Sequence, residues 1–213
     1  MKNFVLPIVA AALMACSSSA TPSQASNGAS DPAAKNIAAT PNSGASTDTA
    51  IFAGGCFWCV ESDFEKLDGV IEVISGYTGG DLQNPTYRTH GQHVEGAKII
   101  FKPDVISYDE LLKHYWTHVD PTDNGGQFCD RGHAYIPVIY ARPDQLQQAE
   151  ASKAEIIATK PFPQDIVVPI LPAKEFWDAE EYHQDYYKKN PVRYNFYRNG
   201  CGRDQRIAQL WGQ

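Results

Sequence analysis

Thr49-Ala50-Ile51-Phe52-Ala53-Gly54-Gly55-Cys56-Phe57-Trp58-Cys59-Val60 is the stretch on which the reading of the fold turns. Residues 49–53 are β-prone and stop at two glycines. Beyond them Phe57, Val60, Phe64 and Leu67 recur three or four apart, with Glu61, Asp63, Glu65 and Lys66 among them. That spacing predicts a helix, and Gly69 closes it. A strand thus runs through a glycine turn into a helix, and Cys56 stands at the junction.

Working outward, residues 70–77 alternate as a strand and Thr78-Gly79-Gly80 turns. Residues 81–92 read as a loop and 94–102 as a strand. Ser107 with Glu110 forms a capping box ahead of Leu111, Leu112, Tyr115, Trp116 and Val119. A long loop over 120–133 carries Pro121 and Gly125-Gly126. It leads to a strand over 136–141 and a helix over 145–159. A strand over 166–171 and a helix over 179–189 follow, the latter stopped by Asn190-Pro191. The tail after Pro191, rich in Arg, Tyr and Gly, has no clear assignment. Strands and helices interleave without a strict βα period. The expected fold is therefore α+β, a two-layer sandwich around a mixed β-sheet of the α/β plait type.

The chain has 213 residues, room for one compact domain; 43% are hydrophobic and 20% charged, a globular composition. The net charge is −7 with no basic block, which argues against a nucleic-acid partner. At the N-terminus Lys2 precedes an apolar run over 4–15, too short to cross a bilayer, which needs about 20 residues, but suited to a signal peptide. Leu13-Met14-Ala15-Cys16 resembles a bacterial lipobox, with Cys16 lipidated after removal of residues 1–15. Residues 17–48 are nearly all Ala, Ser, Thr, Asn, Pro and Gly, a composition expected to stay disordered. The expected organisation is a signal peptide over 1–15, a lipidated linker over 16–48 and a catalytic domain over 49–213. Such a chain would sit in the bacterial cell envelope, lipid-anchored to a membrane and facing the periplasm or exterior.

Chemistry concentrates at three places. At the start of a helix, unpaired N–H groups and the helix dipole favour a thiolate, so Cys56 is a candidate nucleophile. The same Cys56-x-x-Cys59 pair also fits a structural disulfide or two inert thiols. Alternation puts Glu95 on the face of Ala97, Ile99 and Phe101, where an ionised carboxyl is costly and its pKa rises. That makes Glu95 a proton donor, or else a strand-end carboxyl leaning into solvent. The third place is Cys129-Asp130-Arg131-Gly132-His133-Ala134-Tyr135, at the end of a loop long enough to be functional. There Asp130 could simply pair with Arg131, and Tyr135 could be an ordinary strand aromatic.

Taken together, Gly55-Cys56-Phe57-Trp58, Gly76-Tyr77-Thr78-Gly79-Gly80, Asn84-Pro85-Thr86-Tyr87, Glu95, Asp120-Pro121 and Asp130-Arg131-Gly132 with Tyr135 resemble the class A peptide-methionine sulfoxide reductases. The resemblance spans roughly residues 49–211, and six motifs in register are specific. It implies that Cys56 attacks the sulfoxide sulfur and that Glu95 supplies a proton. Tyr87 and Tyr135 would hold the oxygen, Asp130 would fix a water or a tyrosine, and Phe57 and Trp58 would receive the substrate methyl group. The substrate would be methionine S-sulfoxide, free or in proteins. The sulfenic acid left on Cys56 would be resolved by another thiol and recycled by a thioredoxin-like donor, with no cofactor. Cys59 and Cys129 depart from many members of that family. Short-range closure favours Cys59 as the resolving cysteine, with Cys201 second and Cys129 third; a relay from Cys59 to Cys201 is also open.

Two other readings are carried alongside. One is a general thiol–disulfide oxidoreductase built on Cys56 and Cys59, in which Glu95 has no required part. The other is a non-catalytic surface lipoprotein with structural cysteines. His90 and His93 lack the spacing of a zinc site, so no metal is expected. Tyr182, His183, Tyr186 and Tyr187 read as packing that borders the site.

Overall fold

The computed structural model describes residues 46–212, and the signal segment, Cys16 and most of the linker lie outside the described residues. The chain forms a six-stranded sheet flanked by helices. In order along the chain come β1 (Asp48–Gly54), α1 (Phe57–Phe64), β2 (Val70–Thr78), β3 (Val94–Phe101) and α2 (Tyr108–Trp116). The long loop contributes a two-residue hairpin, β4 (Gly126–Gln127) and β5 (Asp130–Arg131), then a 3₁₀ turn over His133–Tyr135. After it come β6 (Pro137–Ala141), α3 (Leu146–Thr159), β7 (Ile170–Pro172) and β8 (Phe176–Asp178). The chain ends in α4 (Tyr186–Lys189), α5 (Pro191–Gly200) and α6 (Arg203–Trp211).

The sheet order is β7-β6-β1-β3-β2-β8, antiparallel except for the β6–β7 pair. This is the α+β arrangement around a mixed sheet that the sequence predicts. Alternation along the central strands divides the core. Ala50 and Phe52 of β1 and Ala97, Ile99 and Phe101 of β3 meet Val60, Phe64, Leu111, Leu112, Tyr115 and Trp116 of the helices. Ala53 and Val94 face the other side with Val138 and Tyr140. The Ser107–Glu110 capping box forms with both of its hydrogen bonds.

The structure moves several boundaries. The linker ends before Asp48, which opens β1 and pairs with Arg142 at 2.8 Å. The strand expected over 166–171 shrinks to β7. The Val167 N–H is spent on Pro121 O and the Pro169 carbonyl takes the Ile139 N–H, so continuous pairing starts only at Ile170. The helix expected over 179–189 is split into a 3₁₀ turn and α4, because Asp185 between them adopts φ +54°. Its N–H is captured by Glu61 Oε1 at 2.7 Å instead of a helical carbonyl. Pro191 both ends one element and starts another: it occupies the first turn of α5, where its missing N–H has no helical partner to lose. The unassigned tail is thus α5 and α6.

Helix α1 is unusual in burying Glu61, Ser62 and Asp63 as well as its apolar positions. Asp63 is answered by Arg198 at 2.8 Å and by Arg203 at 3.6 Å. Arg203 is 2% exposed and Asp63 5%, so removing the carboxylate strands a buried cation. Asp63→Asn is expected to destabilise the fold by about 3–5 kcal/mol, read as a lowered midpoint in equilibrium urea unfolding; a midpoint within error of wild type would contradict this.

Candidate active site

Gly54 and Gly55 end β1, and Gly55 has φ +84°. A Cβ there would stand 2.6 Å from the Gln127 Cβ, so only glycine fits the turn. Cys56 follows as the N-cap of α1, its carbonyl accepting the N–H groups of Cys59 and Val60. The sharp turn sets the Cys56 sulfur at the end of a buried helix and beside the sheet.

Glu95 reaches the same point from β3, in register with Tyr77 of β2. Its carboxyl is 4% exposed, and Oε2 accepts the Phe57 N–H at 3.1 Å. Burial pushes its pKa up to about 8, against the lowering effect of the Phe57 N–H. Glu95 is therefore mostly protonated at neutral pH. It can lend a proton while still bonded to the helix N-terminus.

The long loop delivers Asp130 and Tyr135. Gln127 organises it from within: Oε1 accepts the Asp120 N–H at 2.8 Å, and Nε2 donates to Asp120 O at 2.9 Å. Arg131 turns away and pairs with Asp123 at 2.5 Å, so the Asp130–Arg131 pair considered from sequence does not form. Asp130 instead accepts a hydrogen bond from the Tyr197 hydroxyl of α5. Burial raises the Asp130 pKa, and burial likewise raises those of Tyr87 and Tyr135, whose hydroxyls bond to one another.

Cys56, Phe57, Trp58, Tyr87, Glu95, Asp130, Tyr135 and Tyr197 together line a pit of about 60 Å³. Seven of these eight side chains were expected from sequence. Tyr197, which bonds to Asp130 and also to the Cys56 thiol, was not. It lies in the unassigned tail, and only its distance of four residues from Cys201 marked that segment. The pit opens beside a groove of about 400 Å³ that shares Trp58, Tyr87 and Tyr197 with it and adds Tyr182, His183, Tyr186 and Arg193. Of the tyrosine–histidine group read as bordering the site, Tyr182, His183 and Tyr186 line the groove, while Tyr187 bonds to Glu65 and packs with Tyr194. Trp58 stacks on Tyr186 with centroids 3.7 Å apart, and its Nε1 donates to His183 Nδ1 at 3.1 Å. Burial lowers the His183 pKa and keeps that nitrogen an acceptor.

Of the cysteines, Cys56 and Cys59 are free and hydrogen-bonded to each other. The bond to Cys56, helped by the charges of Arg203 and Arg198 and opposed by burial, brings Cys59 down to about 7. Burial, and then Cys59, hold Cys56 well above the ordinary thiol range. The pair thus loses one proton near neutrality and shares the other. Cys56 faces the pit and Cys59 packs behind it with Tyr194. Cys201 and Cys129, the second and third candidates to resolve Cys56, are joined to each other in a disulfide with Cα atoms 4.9 Å apart. Among the described residues the free thiols are therefore Cys56 and Cys59. Cys129 also stands beside Asp130, and Cys201 one turn after Tyr197, so the bridge ties together the segments carrying those two site residues. His90 and His93 do not converge on Cys56: His90 stacks on Tyr77, and His93 binds Gly80 N and Leu82 O.

Residues 48–213 match the family described as peptide methionine sulfoxide reductase. Curated relatives include the peptide methionine sulfoxide reductase MsrA 2 of Rhizobium meliloti, 49% identical over 81% of this chain and 87% of its own. The protein of the same name from Caulobacter vibrioides is 50% identical over 78% of this chain and 86% of its own. Among solved structures, reduced Mxr1 from Saccharomyces cerevisiae superposes with a TM-score of 0.63 at 29% identity, covering 68% of this chain and 86% of the other.

Proposed function

The chain belongs to the peptide methionine sulfoxide reductase family, and we propose that it reduces methionine S-sulfoxide to methionine through Cys56, Glu95 and the tyrosines around them. The observation that carries the assignment of roles is the buried, protonated Glu95 carboxyl in one small pit with the Cys56 thiol. Disulfide exchange alone has no use for such an acid.

The substrate's methyl and side-chain carbons pack on Phe57 and Trp58, and its oxygen points to Tyr87, Tyr135 and Glu95. The reactive thiolate is the one that faces the pit, so Cys59 keeps the shared proton as Cys56 attacks the sulfur. Sulfur–sulfur bonding develops as the S–O bond weakens, and the oxygen gathers negative charge. Hydroxyl donors and an acid aimed at that oxygen in a water-poor pit stabilise it more than water could. Thiolate, sulfoxide and the Glu95 proton give methionine and a Cys56 sulfenic acid; water then returns the proton to Glu95. The Cys59 thiol, next to Cys56 and free, displaces the hydroxyl of the sulfenic acid as water and forms a Cys56–Cys59 disulfide. A thioredoxin-like dithiol reduces that bond by exchange and returns both thiols. Asp130 holds Tyr197, and Tyr197 holds the Cys56 sulfur; both act by position.

The sequence of residues 1–48 supports export. An apolar run over 4–15 ends at Leu13-Met14-Ala15-Cys16, followed by a polar, low-complexity stretch. We infer that the domain is lipid-anchored in the bacterial envelope through Cys16. It would be held off the membrane by a tether with an r.m.s. span on the order of 30 Å.

Cys56→Ser is expected to abolish sulfoxide reduction. Glu95→Gln should slow the single-turnover step by about 10²–10⁴. In the wild type that rate should fall as pH rises through about 8, because Glu95 loses its proton there, and the alkaline fall should vanish in Glu95→Gln. A Gln variant with wild-type rates and an unchanged pH profile would remove Glu95 from the mechanism. For the resolving step, mass spectrometry after one turnover without reductant should show a Cys56–Cys59 bond, while Cys59→Ser should accumulate sulfenic acid. Disulfide formation in that variant at the wild-type rate would transfer the role elsewhere. Wild-type protein should fractionate with membranes and Cys16→Ser with soluble, active enzyme; a wholly soluble wild type would refute the anchor.

A further inference from the structure

The groove beside the pit has features that the reaction itself does not call on. Its floor is aromatic: Trp58, Tyr186 and Tyr182, the last 59% exposed. On α5, Val192 and Phe196, chain neighbours of the lining residues Arg193 and Tyr197, are 84% and 82% exposed. Apart from Trp58, which also lines the pit, none of these side chains has a part in the reaction as drawn above.

The arginines near the rim differ from the other arginines of the described chain. The chain carries a net charge of −7, and Arg131, Arg142, Arg198, Arg203 and Arg206 each meet a carboxylate. Among the described residues Arg88 and Arg193 meet none. Both are exposed. Arg193 lines the groove, and Arg88 is the chain neighbour of Tyr87, which lines it too. Glu180, the carboxylate on that side, is held by the Tyr87 N–H at 3.0 Å and the Tyr77 hydroxyl at 2.9 Å. An unpaired guanidinium lining an aromatic groove, with a second one next to Tyr87 in the chain, forms a seat for an extended chain bearing a carboxylate.

Resting on the reductase reading above, we propose that this groove selects polypeptide segments with an acidic residue close to the oxidised methionine, and that Arg193 and Arg88 determine that specificity. Distance limits the position. Arg193 lies one helical turn before Tyr197, whose hydroxyl reaches Cys56, and a turn rises about 5.4 Å. An extended peptide advances roughly 3.3 Å per residue, so the carboxylate belongs within about two residues of the sulfoxide. The apolar surface of Tyr182, Tyr186 and Phe196 takes the neighbouring side chains in a sequence-tolerant way.

The test uses the full chain with blocked alanine pentapeptides that carry methionine S-sulfoxide at the centre and a single Asp or Lys at each flanking position in turn. At its best position, Asp is expected to exceed Lys by about fivefold in kcat/KM at low salt, as an exposed ion pair allows. The difference should lie in KM and shrink at about 0.5 M salt. Arg193→Glu should favour Lys instead, and adding Arg88→Glu should widen that inversion; a purely structural role for either arginine would not reverse a preference. Equal rates for Asp and Lys peptides in the wild type would overturn the inference, as would an Asp preference that survives in the double variant. It also fails if Arg193→Glu alters only the ratio between N-acetylmethionine sulfoxide and its N-methylamide, because the guanidinium would then serve the free amino acid's carboxylate. Failure to reduce any of the peptides or the amide would strike the reductase reading itself, a different result from reduction without charge preference.

Discussion

Everything at the site hangs on the buried guanidinium of Arg203. From the first turn of α6 it donates to Gly54 O at 3.0 Å and to His118 O at 2.7 Å. It faces Asp63 of α1, and the Phe128 ring of the long loop lies over it at 4.6 Å. One side chain thereby fixes the end of β1, the chain leaving α2, the flank of α1 and the loop that carries Asp130. Gly54 sits two residues before Cys56, so this clamp defines where the reactive sulfur stands. A cation with this many fixed contacts can hold four segments only because Asp63 and the carbonyls answer it; buried without them it would be costly.

The same dryness that makes Arg203 demanding makes the pit reactive. Burial keeps a proton on Glu95 near neutral pH, where an exposed carboxyl would have lost it. Burial would also keep both thiols protonated, yet the Cys56–Cys59 hydrogen bond and the charges of Arg203 and Arg198 let one thiolate form near pH 7. Acid and nucleophile can therefore be ready together, a condition neither group meets alone in water.

Catalytic geometry is assembled from segments far apart in the chain. Glu95 comes from β3, Tyr87 from the loop before it, Asp130 and Tyr135 from the long loop, and Tyr197 from α5. The Cys129–Cys201 bridge closes a separation of 72 residues and joins two of those segments near the Tyr197–Asp130 hydrogen bond. A cross-link of this span removes much conformational freedom from the unfolded chain, about 4 kcal/mol in the loop-entropy picture. It also narrows how far Tyr197 can stray from Cys56.

The sequence by itself determined the elements whose cause is local. The strand–glycine–helix junction at Cys56, the Ser107–Glu110 cap and the alternation that turns Glu95 toward the helices depend on neighbours a few residues away. Backbone periodicity and turn chemistry act over that range. The motif positions likewise named seven of the eight residues lining the pit. What only the tertiary structure decided depends on partners distant in the chain. Asp185 breaks an otherwise helical run because Glu61, 124 residues earlier, takes its N–H. Tyr197 becomes a site residue because α5 folds back onto the Asp130 loop. The expected ranking of Cys201 behind Cys59 gave no hint that Cys201 would be tied to Cys129, since two thiols pair according to where packing brings their Cα atoms, and spacing along the chain carries no record of that.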